Sequence, residues 1–297
     1  MSRISDIPLG SIVAAYDGSP SAREALGWAA VRARSERRPL AVVYATGSVT
    51  LMLPDVPVRT EDLVAAAREA GERQLAEAAD QVGAKAPEVE VLGVVAVDDA
   101  RTALLAASQV ASLLVLGSRG RGPVATLLLG SVGTSVVRHA HCPVVVHRPR
   151  HHDASPRGVV AGADGSKLSR PVLERAFAEA ERADRPLTVL HSSWDLMATW
   201  SEGYSDAAPP PRGVEQEHLD MAEAMAGLRE EHPDVVADVV LAAGPPIPAL
   251  AAISHEAELL VLGHEQRGLA DRLLVGSVAV PVVERADCPV LVVPVSD

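Results

Sequence analysis

A chain of 297 residues with a formal net charge of −12 has room for two domains of ordinary size. Its acidity disfavours nucleic acid or an anionic membrane surface as the main partner. Hydrophobic residues make up 48% of the chain and aromatic residues only 2%, so Ala, Val and Leu must build the cores, as in parallel sheets buried under Ala-rich helices.

In chain order, the first half reads as strand 11–16, a helix over 21–37 with Ala22, Ala25, Leu26, Ala29 and Ala30 on one face, and strand 40–45. A long helix follows over 61–82, where Leu63, Ala66, Ala67, Ala70, Leu75 and Ala78 recur at helical spacing. Strand 89–95, a short helix over 101–109, strand 113–116, a helix from Ser131 to His139 and strand 143–147 complete it. Such alternation predicts a parallel sheet with helices on both faces.

The second half repeats the first. Val13-Ala14-Ala15-Tyr16-Asp17-Gly18-Ser19 aligns with Val160-Ala161-Gly162-Ala163-Asp164-Gly165-Ser166, and Arg38-Pro39-Leu40 with Arg185-Pro186-Leu187, at a shift of 147 residues. Leu116-Gly117, Leu129-Gly130-Ser131-Val132 and Cys142-Pro143-Val144 align with Leu262-Gly263, Val275-Gly276-Ser277-Val278 and Cys288-Pro289-Val290 at a shift of 146. A repeat of this length is a duplicated domain rather than a solenoid unit. The expected fold class is therefore α/β with two tandem doubly wound domains, 1–148 and 158–297, joined by a Pro-, His- and Arg-rich linker at 149–157.

In open α/β sheets, ligands bind beyond the carboxyl ends of the strands where the winding reverses. Strands one and four flank that reversal, and their ends carry Asp17 and Gly117. The run Gly117-Ser118-Arg119-Gly120-Arg121-Gly122 follows strand four, and Gly130-Ser131 opens the next helix. Glycines between strand and helix let backbone N–H groups meet phosphate oxygens. Ser131 is expected to cap the helix and to offer its hydroxyl, and Arg119 or Arg121 to add a charge-assisted contact. Asp17 repels phosphate but suits a ribose hydroxyl or a shared Mg²⁺.

The pattern Gly117-x-x-Gly120-x₉-Gly130-Ser131, begun by Asp17-Gly18-Ser19 and ended by His141-Cys142-Pro143-Val144, resembles the ATP-binding branch of the universal stress protein family. The resemblance implies five-stranded sheets of order 3-2-1-4-5 and ATP, with Mg²⁺, as the ligand. It carries Ala15, Asp17, Ala45 (beside the adenine), Gly117, Arg119, Gly120, Gly130, Ser131 and Val132 into the site. It also implies a homodimer through the strand-five regions, and a stress regulator acting on a protein partner the sequence does not identify.

The second half departs from the pattern. Gly162, Asp164, Ser192, Gly263, Gly268, Gly276, Ser277 and Val278 stand at corresponding places, but Gln266 replaces the second glycine and Glu265 adds a carboxylate. The second half is therefore expected to bind ATP more weakly, or only with Mg²⁺.

No catalytic residue and no resident metal site is assigned. No Walker Lys-Ser/Thr pair follows the glycines, so slow ATP hydrolysis is an alternative and efficient turnover is not expected. A structural tandem without ligand is the other alternative. His139, His141, His147, His151 and His152 lack a ligand pair with metal spacing on one element, and His139 and His141 suit a helix C-terminus instead. Cys142 and Cys288 read as small buried thiols rather than a disulfide framework. No apolar run reaches spanning length and the N-terminus lacks a secretory core, so a cytoplasmic protein without membrane partners is expected. The segments 46–60 and 193–213 are plain connections or, alternatively, lids that bring Trp194 or Trp200 near the ligand.

Overall fold

In a computed structural model the chain divides into two units, 1–148 and 149–297. The described residues are 3–47, 60–118, 129–149, 158–193, 212–265 and 278–296.

The first unit runs β1 (Ile12–Ala15), α1 (Pro20–Glu36), β2 (Leu40–Ala45), α2 (Thr60–Lys85), β3 (Val91–Ala96), α3 (Ala100–Ala107), β4 (Leu113–Gly117), α4 (Ser131–His139) and β5 (Val144–His147). The second runs β6 (Val159–Gly162), α5 (Arg170–Ala183), β7 (Leu187–Ser193), α6 (Arg212–Glu231), β8 (Ala237–Ala243), α7 (Pro246–Ser254), β9 (Leu259–Glu265), α8 (Ala279–Arg285) and β10 (Val290–Val295). The first-half elements read from periodicity are all present, with ends shifted by at most three residues.

Within the first unit the strands lie in the order β3-β2-β1-β4-β5, and within the second β8-β7-β6-β9-β10. The pairings inside each unit are parallel, for example Ala14 with Val42 and Val115, and Ala161 with Val189 and Val261. This is the doubly wound order. α1 packs with α2, and α3 with α4; α5 packs with α6, and α7 with α8. Right-handed crossovers put the two pairs of each unit on opposite faces of its sheet.

The cores are aliphatic, as the composition requires. Ile12, Val13 and Ala14 of β1 and Leu113, Leu114 and Val115 of β4 are buried, so the central strands are apolar on both faces. The small residues Ala25, Ala29 and Ala30, with Leu26, form the buried face of α1 and let it lie close to the sheet. Removing a branched side chain from so tight a layer, as in Leu26→Ala, costs about 2–5 kcal/mol. Phe177, the chain's single phenylalanine, is fully buried in α5 and stacks on the His232 ring at 5.8 Å.

Candidate nucleotide site

Because β1 pairs in parallel with β4, Ala14 beside Val115, the chain leaves both strands at the same end, with Asp17 and Ser118 each three residues beyond that pair. The turn after β1 is built by its own sequence. Gly18 adopts φ +77°, the left-handed region that favours glycine. Asp17 Oδ1 accepts the Ser19 N–H at 2.9 Å, and Ser19 Oγ caps α1 by accepting the Ala22 N–H at 3.2 Å. The Asp-Gly-Ser signature thus orients the carboxylate and starts the helix together.

Ala45 closes β2, half-buried, at the same edge of the unit. Ser118 is buried, and its N–H donates to the His147 carbonyl at 3.1 Å. β4 therefore stays tied to β5 one residue past its end.

On the α4 side, Gly130 is exposed and forms the N-cap of the helix, its carbonyl accepting the Thr134 N–H at 2.9 Å. Ser131 is the first helical residue rather than the cap. A short side chain at the cap would have bonded back to the helix; with glycine there, no side chain caps the first N–H groups among the described residues. A Cβ built on Gly130 meets nothing within 4 Å among the described residues. Ser131 is exposed and Val132 half-buried beside it.

Gly117 has a packing role that its motif does not suggest. It is not at positive φ, and an added Cβ would fall 2.4 Å from Ser21 Oγ and 2.7 Å from the Ser21 backbone carbonyl. Its missing side chain admits the first turn of α1. Gly162, the counterpart of Ala15, likewise makes room for Leu262 and Leu250, at 2.8 and 3.0 Å from its added Cβ, and Gly263 for Val172 at 2.9 Å.

The second unit keeps its carboxylate but surrounds it differently. Asp164 Oδ1 accepts from the Ser166 N–H at 3.0 Å and from the Ser169 hydroxyl at 2.5 Å, while Ser169 Oγ accepts the Asp164 N–H at 3.0 Å. Burial opposes ionisation of Asp164, but hydrogen bonds from Ser169 and Ser166 outweigh it and hold the carboxyl below 3.8. Ser169 aligns with Ala22, which has no hydroxyl to offer. Ser192, aligned with Ala45, donates its hydroxyl to the Gly244 carbonyl at 2.8 Å. His264 is buried near the end of β9, Glu265 ends that strand, and Val278 is half-buried just before α8.

Arg119, Gly120, Arg121 and Gly122 lie outside the described residues, as do Gln266, Gly268, Gly276, Ser277, Trp194, Trp200, His151 and His152. Of the first-half set, Ala15, Asp17, Ala45, Gly117, Ser118, Gly130, Ser131 and Val132 are described. Periodicity and motif reading pass over Ser21, Ser169, His191 and Glu217, which the fold brings to these strand ends together with His147. His147 ends β5 with Nδ1 buried and, among the described residues, without a hydrogen-bond partner. Burial pushes its ring below the usual 6.5, with Glu24 opposing in part. Among the described residues no group of three or more His, Cys, Asp or Glu is placed to hold a metal, and no helix is long and apolar enough to cross a membrane.

Two doubly wound α/β units in tandem, each with an Asp-bearing turn after its first strand, and in the first unit a glycine-capped helix after the fourth, define a class. The sequence pattern of the universal stress protein family matches residues 9–148 and again 157–294. The chain belongs to that family. It is 34% identical to universal stress protein Rv1996 of Mycobacterium tuberculosis over 304 residues, covering 95% of this chain and 94% of that one. With universal stress protein Rv2623 of the same organism it shares 32% identity over 289 residues, covering 95% of each. A universal stress protein from Archaeoglobus fulgidus has a similar fold, with a TM-score of 0.71 at 21% identity over 96% of this chain and 98% of that one.

Proposed function

We propose that this chain is an ATP-binding regulatory protein whose first half carries the principal nucleotide site. The observation that carries the reading is that the Asp17 turn after β1 and the glycine-capped N-terminus of α4 lie at the same end of the first unit's sheet. The first N–H groups of α4, with the Ser131 hydroxyl beside them, suit the phosphates. Asp17 suits a ribose hydroxyl, and Ala45 offers an apolar edge to the base. Arg119 and Arg121 supply the positive charge that the phosphates need, and Mg²⁺ enters with the nucleotide.

The second half is the weaker site, because Glu265 adds negative charge and Asp164 and Ser192 are already bonded to the protein. The protein acts through nucleotide-dependent conformation and a partner protein rather than through turnover, in the cytoplasm and as a homodimer joined at the strand-five regions. Gentle denaturation of the purified chain, followed by mass spectrometry of the released small molecules, tests the ligand assignment. Adenine nucleotide is the expected species; its absence, together with no binding of added ATP, would leave a structural tandem.

A further inference from the structure

The residue just before the glycine cap of α4 is held by the helix it precedes. A Cβ built on Gly133 would stand 2.6 Å from Leu129 Cδ1 and 2.9 Å from Leu129 Cγ, closer than side-chain carbons come. The Leu129 side chain therefore fills the notch that Gly133 leaves in the first turn of α4, and both residues are buried. The Leu129 carbonyl oxygen accepts from the Thr134 hydroxyl at 3.3 Å, and the Gly130 carbonyl accepts the Thr134 N–H at 2.9 Å. Leu129 is thus fastened by its side chain to Gly133 and by its backbone to Thr134, with Gly130 spanned between. An apolar residue before an N-cap that packs back on the helix fixes the angle at which the chain enters it.

The second half lacks the residues for this fastening. At the shift of 146, Leu129, Gly133 and Thr134 correspond to Val275, Ala279 and Val280. Ala279 carries the methyl that Gly133 lacks, Val275 is one carbon shorter than Leu129, and Val280 has no hydroxyl to donate. One carbon has moved from the side chain before the cap to the helix behind it, a volume-conserving exchange of the kind packed interiors tolerate. Gly130-Ser131 and Gly276-Ser277 are the same in both halves. The halves differ here in the support of the motif, not in the motif.

We propose that Leu129, seated on Gly133 and bonded to Thr134, is a positioning residue of the first half: it sets the direction in which Gly130 and the first N–H groups of α4 are presented to an anion. The anion is the triphosphate of the ATP reading proposed for this site, on which the inference rests; the fastening itself stands on contacts within the chain. Hydrogen bonds from a helix end weaken steeply when misaligned, so a small rotation at the helix entry costs affinity for phosphate and leaves the base and ribose contacts as they were. Leu129 is buried, so a methyl on Gly133 drives its side chain against packed neighbours and shifts the backbone at 129–130. Shortening Leu129 to Val at the same time makes the room again, in the pairing that the second half carries.

The full chain as wild type, G133A, L129V and G133A/L129V, with T134V and T134S beside them, tests this by two measurements. Amide hydrogen exchange without ligand reads the Thr134 N–H that bonds Gly130. Titration with ATP and, separately, with adenosine reads the phosphate-dependent part of the affinity. In G133A the Thr134 amide should exchange about tenfold faster and ATP should bind about tenfold more weakly, while adenosine binds as it does to wild type. L129V alone should move both readouts the same way, and G133A/L129V should bring both back to within about twofold of wild type. T134V should weaken ATP binding and T134S, which keeps the hydroxyl, should not; this pair leaves the notch unchanged and decides the matter if G133A folds poorly. Wild-type exchange and ATP affinity in G133A, equal losses for ATP and adenosine, or a double variant no better than G133A would each overturn the proposal. If the wild-type chain binds no ATP, the nucleotide reading falls, and the exchange cycle still decides whether Leu129 sets the helix entry.

Discussion

Gly117 and Ser21 meet backbone to backbone: any Cβ at position 117 would overlap the Ser21 carbonyl at 2.7 Å, where only a shift of α1 or β4 relieves it. The glycine that opens the nucleotide-like motif is therefore a packing residue of the fold. Gly117→Ala should cost about 1–3 kcal/mol through overpacking and lower the melting temperature of the first half by several degrees. Calorimetric or circular-dichroism melting checks this; an unchanged melting temperature would mean that α1 yields freely.

Gly130 is the cleaner probe of the site. Its φ of −61° suits any residue, and an added methyl touches nothing among the described residues. Gly130→Ala should cost at most about 1 kcal/mol of stability, the ordinary difference between these residues at an N-cap. It should weaken ATP binding about tenfold or more if the phosphates approach the helix end closely. Paired melting and titration curves separate the two effects.

His147 predicts a pH dependence with a definite sign. Burial holds the folded-state ring below 6.5, so the unfolded chain binds the proton more readily. The contribution is present above 6.5 and is lost as pH falls through the lower folded value. The first half should accordingly weaken on mild acidification. His147→Leu should remove that dependence, and Glu24→Gln, which takes away the opposing negative charge, should deepen it. Urea midpoints across the mildly acidic range measure both.

Asp164 acts at lower pH. Its carboxyl is depressed below 3.8, so the stability it adds is present above that value and lost as pH drops through the folded one. Ser169→Ala removes the hydroxyl bridge and should shrink this acid-side loss in the second half. An acid unfolding curve identical to wild type would contradict the role given to Ser169.

The fold was legible because its signals are local or repeated. Ala-rich helical spacing in α1 and α2, apolar runs in β1 and β4, and two copies of the same anchors define the doubly wound tandem. The Asp17 turn was legible too, since Gly18 and Ser19 beside it spell out its geometry. The packing role of Gly117 was not, because Ser21 is distant in sequence and a strand-end glycine reads the same whether it admits a ligand or a helix. The Leu129–Gly133 contact was hidden for a related reason. The motif singles out Gly130 and Ser131, but only the packed structure shows that Leu129 lies on Gly133.

Titration calorimetry of the full chain with ATP, with and without Mg²⁺, tests the central claim most directly when run beside Gly130→Ala. One stronger site that Gly130→Ala weakens, with a second site weaker or dependent on metal, is the expected result. No binding of ATP, or two equally tight sites without metal that Gly130→Ala leaves unchanged, would contradict it.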